Sequence, residues 1–181
     1  MPTSRPHDNC YWLVPDLLLA GEYPGDRLSR EVTRQRLLGI AAAGVRVFID
    51  LTQEVDGLAP YAHMLPTLGE TLGTTLSHEP FGLRDMAVPP SPARTRQILA
   101  RLDAHHAAGT PVYLHCWGGI GRTGLIAACW LVEQGHSGPA ALEIIAGHWQ
   151  TVAKRDRHPH SPQTPAQRRY VLDWALQRAA G

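Results

Sequence analysis

Short apolar runs bounded by glycine and proline alternate along the chain with longer stretches in which apolar residues recur at helical spacing. Tyr11 to Ala20 holds two such runs broken at Pro15-Asp16, which predicts two short strands joined by a turn. Val45 to Ile49 and Pro111 to His115 read as buried strands, and Leu76 to Phe81 as a further one. Between them, Asp26 to Ala43 reads as a helix with Leu28, Val32, Leu37, Leu38 and Ile40 as its apolar positions and Gly44 as its stop. Residues 53–73 are irregular, with room for one short helix. Ser91 and Pro92 form a cap and first position for a helix that stops at Gly109.

An apolar helix is expected from about Thr123 to Gln134, and Pro139 opens another. Residues 151–163 form a basic loop, after which Thr164 and Pro165 start a final helix. Residues 1–9 are polar and are expected to fray. No repeat is visible. Strands alternating with helices predict an α/β fold: a single domain over 1–181, with a central, mainly parallel sheet of four to five strands flanked by helices.

Composition narrows the functional classes. Apolar residues make up 44% and charged residues 18% of the 181 positions, enough to bury a core. Seventeen Lys and Arg against sixteen Asp and Glu leave a formal charge of +1, which forecasts neither a nucleic-acid nor a membrane surface. Anion binding must then come from a local site. The longest apolar run, Leu125 to Val132, is too short to span a bilayer, and the first twenty residues do not read as a signal peptide. The cysteines, Cys10, Cys116 and Cys129, are too few and too scattered for a disulfide framework, and the expected location is cytoplasmic. His105-His106 and His158-Pro159-His160 lack further ligands at metal spacing, so neither a metal nor another cofactor is expected.

The candidate chemistry sits in Val112 to Gly124, V-Y-L-H-C-W-G-G-I-G-R-T-G. A buried strand delivers His115 and Cys116 to its carboxyl end, and after a tight loop of five residues the chain enters a helix at Arg122. Gly118, Gly119 and Gly121 let the backbone curl so that amides point inward, and the helix start adds positive field. With Trp117 and Ile120 these residues form a cradle for a phosphate dianion, to which Arg122 adds a planar fork. At its base the same field favours the thiolate of Cys116, an activated nucleophile. Two other readings compete: an inert buried cysteine, and a dinucleotide site, since Gly119, Gly121 and Gly124 spell G-x-G-x-x-G. The second needs an acidic strand end some twenty residues on, whereas Glu143 falls in a helical pattern.

His-Cys-x5-Arg-Thr between a strand and a helix resembles the signature of protein tyrosine and dual-specificity phosphatases. That resemblance implies a phosphocysteine on Cys116, phosphoryl binding by Arg122, a hydrogen bond from Thr123 to the sulfur, and a loop-orienting role for His115. It also implies an aspartate on a Pro-ended loop some thirty residues upstream. Asp85 lies 31 residues before Cys116 and four before Pro89, with Asp50, Glu54 and Asp56 as other candidates. Ser161 to Gln167 resembles a segment whose glutamine positions the attacking water, which points to Gln163 and, on the substrate side, Gln167. Gly21 to Gly25 looks like an early loop of small bacterial dual-specificity phosphatases, and Glu22 is a candidate brace for Arg122 or part of a plain turn. Cys129, about 10 Å along the helix from Arg122, is a poor disulfide partner for Cys116.

The short chain has no segment resembling a tyrosine-recognition loop, which favours the dual-specificity-like branch acting on a phosphorylated protein or peptide. Trp117, Gly118, Gly119 and Ile120 bring none of the cations with which inositol-lipid phosphatases hold extra phosphates, although Lys154, Arg155 and Arg157 offer charge from elsewhere. A phosphopeptide-binding module and a sulfurtransferase remain as contrasts, the former able to dispense with nucleophile or acid. A monomer is expected.

Overall fold

The computed structural model describes residues 4–179. β1 (Cys10–Val14) and β2 (Leu18–Gly21) form an antiparallel hairpin. β3 (Val47–Asp50), β4 (Ser77–Pro80) and β5 (Val112–His115) run parallel to β2, in the order β1-β2-β5-β3-β4. The sheet is therefore the mainly parallel, five-stranded one expected. Its helices are α1 (Arg30–Ala42), α2 (Leu65–Leu72), α3 (Pro92–Ala107), α4 (Gly121–Glu133), α5 (Gly138–Trp149) and α6 (Pro165–Ala179).

Strand alternation divides the core into two layers. Tyr11, Leu18, Ile49 and Leu114 face α3, α4, α5 and α6, while Trp12, Leu19, Phe48 and Tyr113 face α1 and α2. α4 is buried on every side from Gly121 to Val132, which explains why its sequence is apolar without a polar face.

Register fixes where function can sit. Gly21 pairs with His115, and His115 with Asp50, which pairs in turn with Pro80. Four strand ends thus lie side by side at the carboxyl edge, where ligands of open α/β sheets bind. The loops after residues 21, 50, 80 and 115 all leave from that edge.

Some local expectations are corrected. α1 starts at Arg30, because Asp26 Oδ1 accepts from the amides of Leu28 and Ser29 (2.9 Å each) and Ser29 Oγ caps Val32 N. Leu28 therefore lies outside the helix and is 98% exposed. Residues 53–73 hold two 3-10 turns as well as α2. Residues 5–9 are tied down: Arg5 bonds the Thr151 carbonyl (2.8 Å) and His7 the Tyr113 hydroxyl (3.2 Å), and Asp8 O accepts from Ala153 N (3.1 Å). The fraying expected of residues 1–3 lies outside the described residues.

Candidate active site

β5 ends at His115, and residues 116–121 turn directly into α4. The carbonyls of this turn point outward and are held there. Cys116 O meets His115 Nδ1 (3.3 Å), Trp117 O accepts from Tyr23 N (2.9 Å), Gly118 O from Lys154 Nζ (3.3 Å), and Ile120 O from Ser161 Oγ (2.8 Å). A peptide plane carries its N–H opposite its carbonyl, so this arrangement turns the amides inward. Among the described residues, the backbone N–H groups of 117–122 donate to no protein acceptor. Gly119 has φ +72°, and a Cβ there would collide with the backbone of Gly21. Gly124 lets α4 pass against Ser161, whose hydroxyl holds the Ile120 carbonyl.

Arg122 is fully buried. Its Nη1 is anchored by Asp56 Oδ2 (2.6 Å) and the carbonyls of Leu83 (3.0 Å) and Leu51 (3.4 Å). Nε and Nη2, the other edge of the fork, make no hydrogen bond among the described residues. Burial alone would lower the guanidinium pKa, but the charges of Cys116, Asp56 and Asp85 hold it above its ordinary value. An anchored corner and a free, charged edge suit bidentate capture of an oxyanion.

Asp85 reaches this edge from another loop. Its Oδ1 lies 3.0 Å from Arg122 Nη2, an ion-pair distance without hydrogen-bond alignment, and the carboxylate remains 45% exposed. The turn carrying it has Met86 in the left-handed region (φ 60°), a costly backbone for a non-glycine residue. It is fastened on both sides, at Leu83 by Arg122 and Leu51, and at Ala87 by Gln167 Nε2 (3.1 Å).

The sequence profile described as "Swiss Army Knife protein, DSP-PTPase phosphatase domain" (PTP-SAK) matches residues 7–171. The chain belongs to that phosphatase family. Solved structures agree on the fold. A mutant form of Tk-PTP superposes with TM-score 0.69 at 18% identity over 96% of this chain and 98% of the other. PTPMT1 in complex with PI(5)P gives TM-score 0.68 at 19% identity over 96% and 98%. TpbA of P. aeruginosa gives TM-score 0.65 at 22% identity over 97% and 94%. A curated relative, the Arabidopsis thaliana phosphatidylinositol 3,4,5-trisphosphate 3-phosphatase and protein-tyrosine-phosphatase PTEN1, is 39% identical over 62 residues, 34% of this chain and only 14% of its own length.

Behind the loop of this dual-specificity-type phosphatase lies a buried polar relay. The Cys116 carbonyl can only accept, so His115 Nδ1 carries the proton and Nε2 accepts from the Tyr61 hydroxyl at 2.6 Å. Burial lowers the His115 pKa despite the pull of Asp50, leaving the ring neutral at pH 7, while burial raises that of Tyr61. Asp50 Oδ1 lies 3.9 Å from His115 Nδ1 and accepts from Thr52 N and Oγ1 (2.8 and 2.7 Å); Oδ2 meets His78 Nε2 (3.0 Å). Asp50 thus orders the loop behind the site and lies away from the Arg122 fork.

Burial pushes the Asp50 carboxyl up, but His115, His78 and Thr52 outweigh it and hold its pKa at about 2, below the ordinary 3.8. A depressed carboxyl stabilises the fold above its unfolded value and loses that contribution as pH falls through the folded one. Urea unfolding at pH 6 and near pH 2 is therefore expected to show wild type losing about 2 kcal/mol more than Asp50→Asn over that window. Parallel losses in the two proteins would remove Asp50 as the cause.

Other expected site residues fall differently. Glu22 does not brace Arg122: it pairs with Lys154 and accepts from Asn9 Nδ2 (3.2 Å), and Asp56 is the brace. Asp56, a candidate in the sequence only as an acid, is held in place by Gln53 N (3.0 Å) in a 3-10 turn that gives little sequence signal. Thr123 Oγ1 is buried without a hydrogen-bond partner among the described residues, so the bond to the sulfur is not formed. Gln163 lies before α6, and Gln167 is fully buried within it. Gln167 Oε1 accepts from the amides of Gln163 and Thr164 (3.1 Å each), while its Nε2 holds the Asp85 loop at Ala87. That engagement makes Gln167 a strap between α6 and the Asp85 loop. Trp117 is 47% exposed at the rim, and Cys129 is buried, its thiol pKa raised by desolvation.

Proposed function

We propose that this protein hydrolyses phosphomonoesters on protein tyrosine and on serine or threonine through a phosphocysteine intermediate. The Cys116 sulfur attacks phosphorus, the bond to the leaving oxygen breaks, and Asp85 gives that oxygen its proton. Water then attacks phosphorus, Asp85 takes its proton, and the sulfur–phosphorus bond breaks to release inorganic phosphate. The loop amides and the Nε–Nη2 edge of Arg122 bind the equatorial oxygens throughout. The observation that carries this reading is the loop itself: outward-bonded carbonyls and, among the described residues, unpartnered amides from 117 to 122 beside the Nε–Nη2 edge of Arg122, which makes no hydrogen bond there and meets only the carboxylate of Asp85. Three free cysteines support a cytoplasmic location, and we take the working unit to be the monomer.

A second reading, an inositol-lipid or other non-protein phosphate, is favoured by one pair of observations: the fold shared with PTPMT1 in complex with PI(5)P, and the local match to PTEN1. Against it, Trp117, Gly118, Gly119 and Ile120 carry no cation.

The test is acid quenching during turnover of 32P-labelled phosphotyrosyl peptide in EDTA. The expected result is a phosphoenzyme that survives a rapid acid quench, gives up its phosphate to iodine as an S–P bond does and an O–P ester does not, and is absent from Cys116→Ser, together with release of free phosphate. Turnover without any trapped phosphoenzyme, or turnover restored only by a divalent metal, would remove the covalent mechanism. A labelled phosphatidylinositol phosphate cut faster than any peptide would move the substrate to the second reading.

A further inference from the structure

A cleft of about 450 Å³ opens beside the phosphate loop, outside the bowl. Trp117 forms one wall, the segment around Arg27 and Leu28 another, and Arg36, Leu58 and Lys154 complete it. Trp117 directly follows Cys116, so their Cα atoms are about 3.8 Å apart and the cleft shares its wall with the nucleophile loop. Lys154, the chain's one lysine, holds the Gly118 carbonyl from the cleft side.

The charges in this cleft are unevenly compensated. Its two carboxylates are engaged locally: Glu22 by Lys154 and Asn9, and Asp26 by the amides of Leu28 and Ser29. Arg27 bonds the carbonyl of Gly57 (2.6 Å), a neutral partner. Arg36 is exposed and, among the described residues, pairs with no carboxylate. Among the described residues, two guanidinium groups thus face the cleft without an ion pair, Arg36 acting only through space on Asp26, whose carboxylate is already held by backbone amides. Leu28 and Trp117, both exposed, add apolar surface of the kind that anchors a side chain.

We propose that this cleft is a second subsite that selects phosphopeptides carrying an acidic residue next to the phosphorylated one; the proposal rests on the phosphatase reading above. An extended peptide advances about 3.3 Å per residue, so a neighbouring side chain reaches sideways from the bowl into the cleft. The volume suits one or two side chains. Acidic groups would meet Arg27 and Arg36, and an apolar neighbour would pack on Trp117 and Leu28. A lipid headgroup would instead need cations within the bowl, where residues 117–121 supply none.

The experiment compares two phosphotyrosyl peptides that differ only in glutamate or alanine at the positions flanking the phosphotyrosine. For wild type, kcat/KM is expected to favour the glutamate peptide by roughly threefold to thirtyfold at low salt. Arg36→Glu is expected to abolish or reverse that ratio, and Arg27→Gln to reduce it. Because the ratio is taken within each protein, a general loss of activity cancels. Fluorescence polarisation of the same peptides with Cys116→Ser reads the preference as Kd, independently of turnover. A preference in binding without turnover would support the subsite and overturn only the hydrolytic reading. Equal values for the two peptides in wild type, or an unchanged ratio in both arginine variants, would overturn the subsite and leave hydrolysis standing. Faster, Arg36-dependent cleavage of a phosphatidylinositol phosphate in phosphatidylcholine vesicles would overturn the peptide assignment.

Discussion

Replacing Cys116 with serine is expected to cut turnover of p-nitrophenyl phosphate by roughly 10⁴-fold or more. The substitution exchanges sulfur for oxygen at a buried position and leaves the loop amides and Arg122 untouched. A serine hydroxyl needs a base to become a nucleophile. His115 cannot act as that base, because Nδ1 holds the Cys116 carbonyl and Nε2 accepts from Tyr61. Asp85 lies against Arg122, where the reading assigns it to the leaving group. Affinity for inorganic phosphate, measured by calorimetry, should stay within a few fold, since the amides and the guanidinium edge that hold its oxygens are unchanged. A melting temperature near that of wild type would show that the loss is chemical. Activity within tenfold of wild type would exclude Cys116 as the nucleophile.

The contrast between what was readable in the sequence and what was not follows from sequence distance. Cys116, the glycines and Arg122 lie within one strand–turn–helix, so their geometry is dictated locally, and the family match confirms the fold built around them. The partners that fix that geometry come from far away. Asp56 is 66 residues before Arg122, Tyr61 is 54 before His115, and Gln167 is 80 after Ala87. Only the sheet register, which sets Gly21, His115 and Asp50 side by side, brings those loops together. Glu22 is a fitting counter-example. Its loop does reach the site, through Tyr23 N on the Trp117 carbonyl, but its carboxylate turns toward Lys154. A rule based on residue type selects the right loop and the wrong acid. Leu28 fails for a similar reason, because helical spacing cannot reveal that Asp26 folds the preceding backbone into a turn.

Asp85→Asn should lower kcat by about 10²–10⁴-fold on substrates with poor leaving groups, the usual contribution of a positioned general acid. The size should depend on the ester. Phenyl phosphate leaves as a basic phenolate and needs the proton, whereas p-nitrophenolate leaves with much less help, so the deficit should shrink across such a series. The amide keeps the shape of the side chain and removes both its charge and its acidic proton. Beside Nη2 of Arg122, removing a carboxylate also removes a competitor for phosphate, so affinity for inorganic phosphate should hold or rise. A uniform deficit across leaving groups would mean that Asp85 only positions the loop. The acid would then have to be sought elsewhere, because Asp50 is held behind the loop by Thr52 and His78, and Asp56 is committed to Nη1 of Arg122.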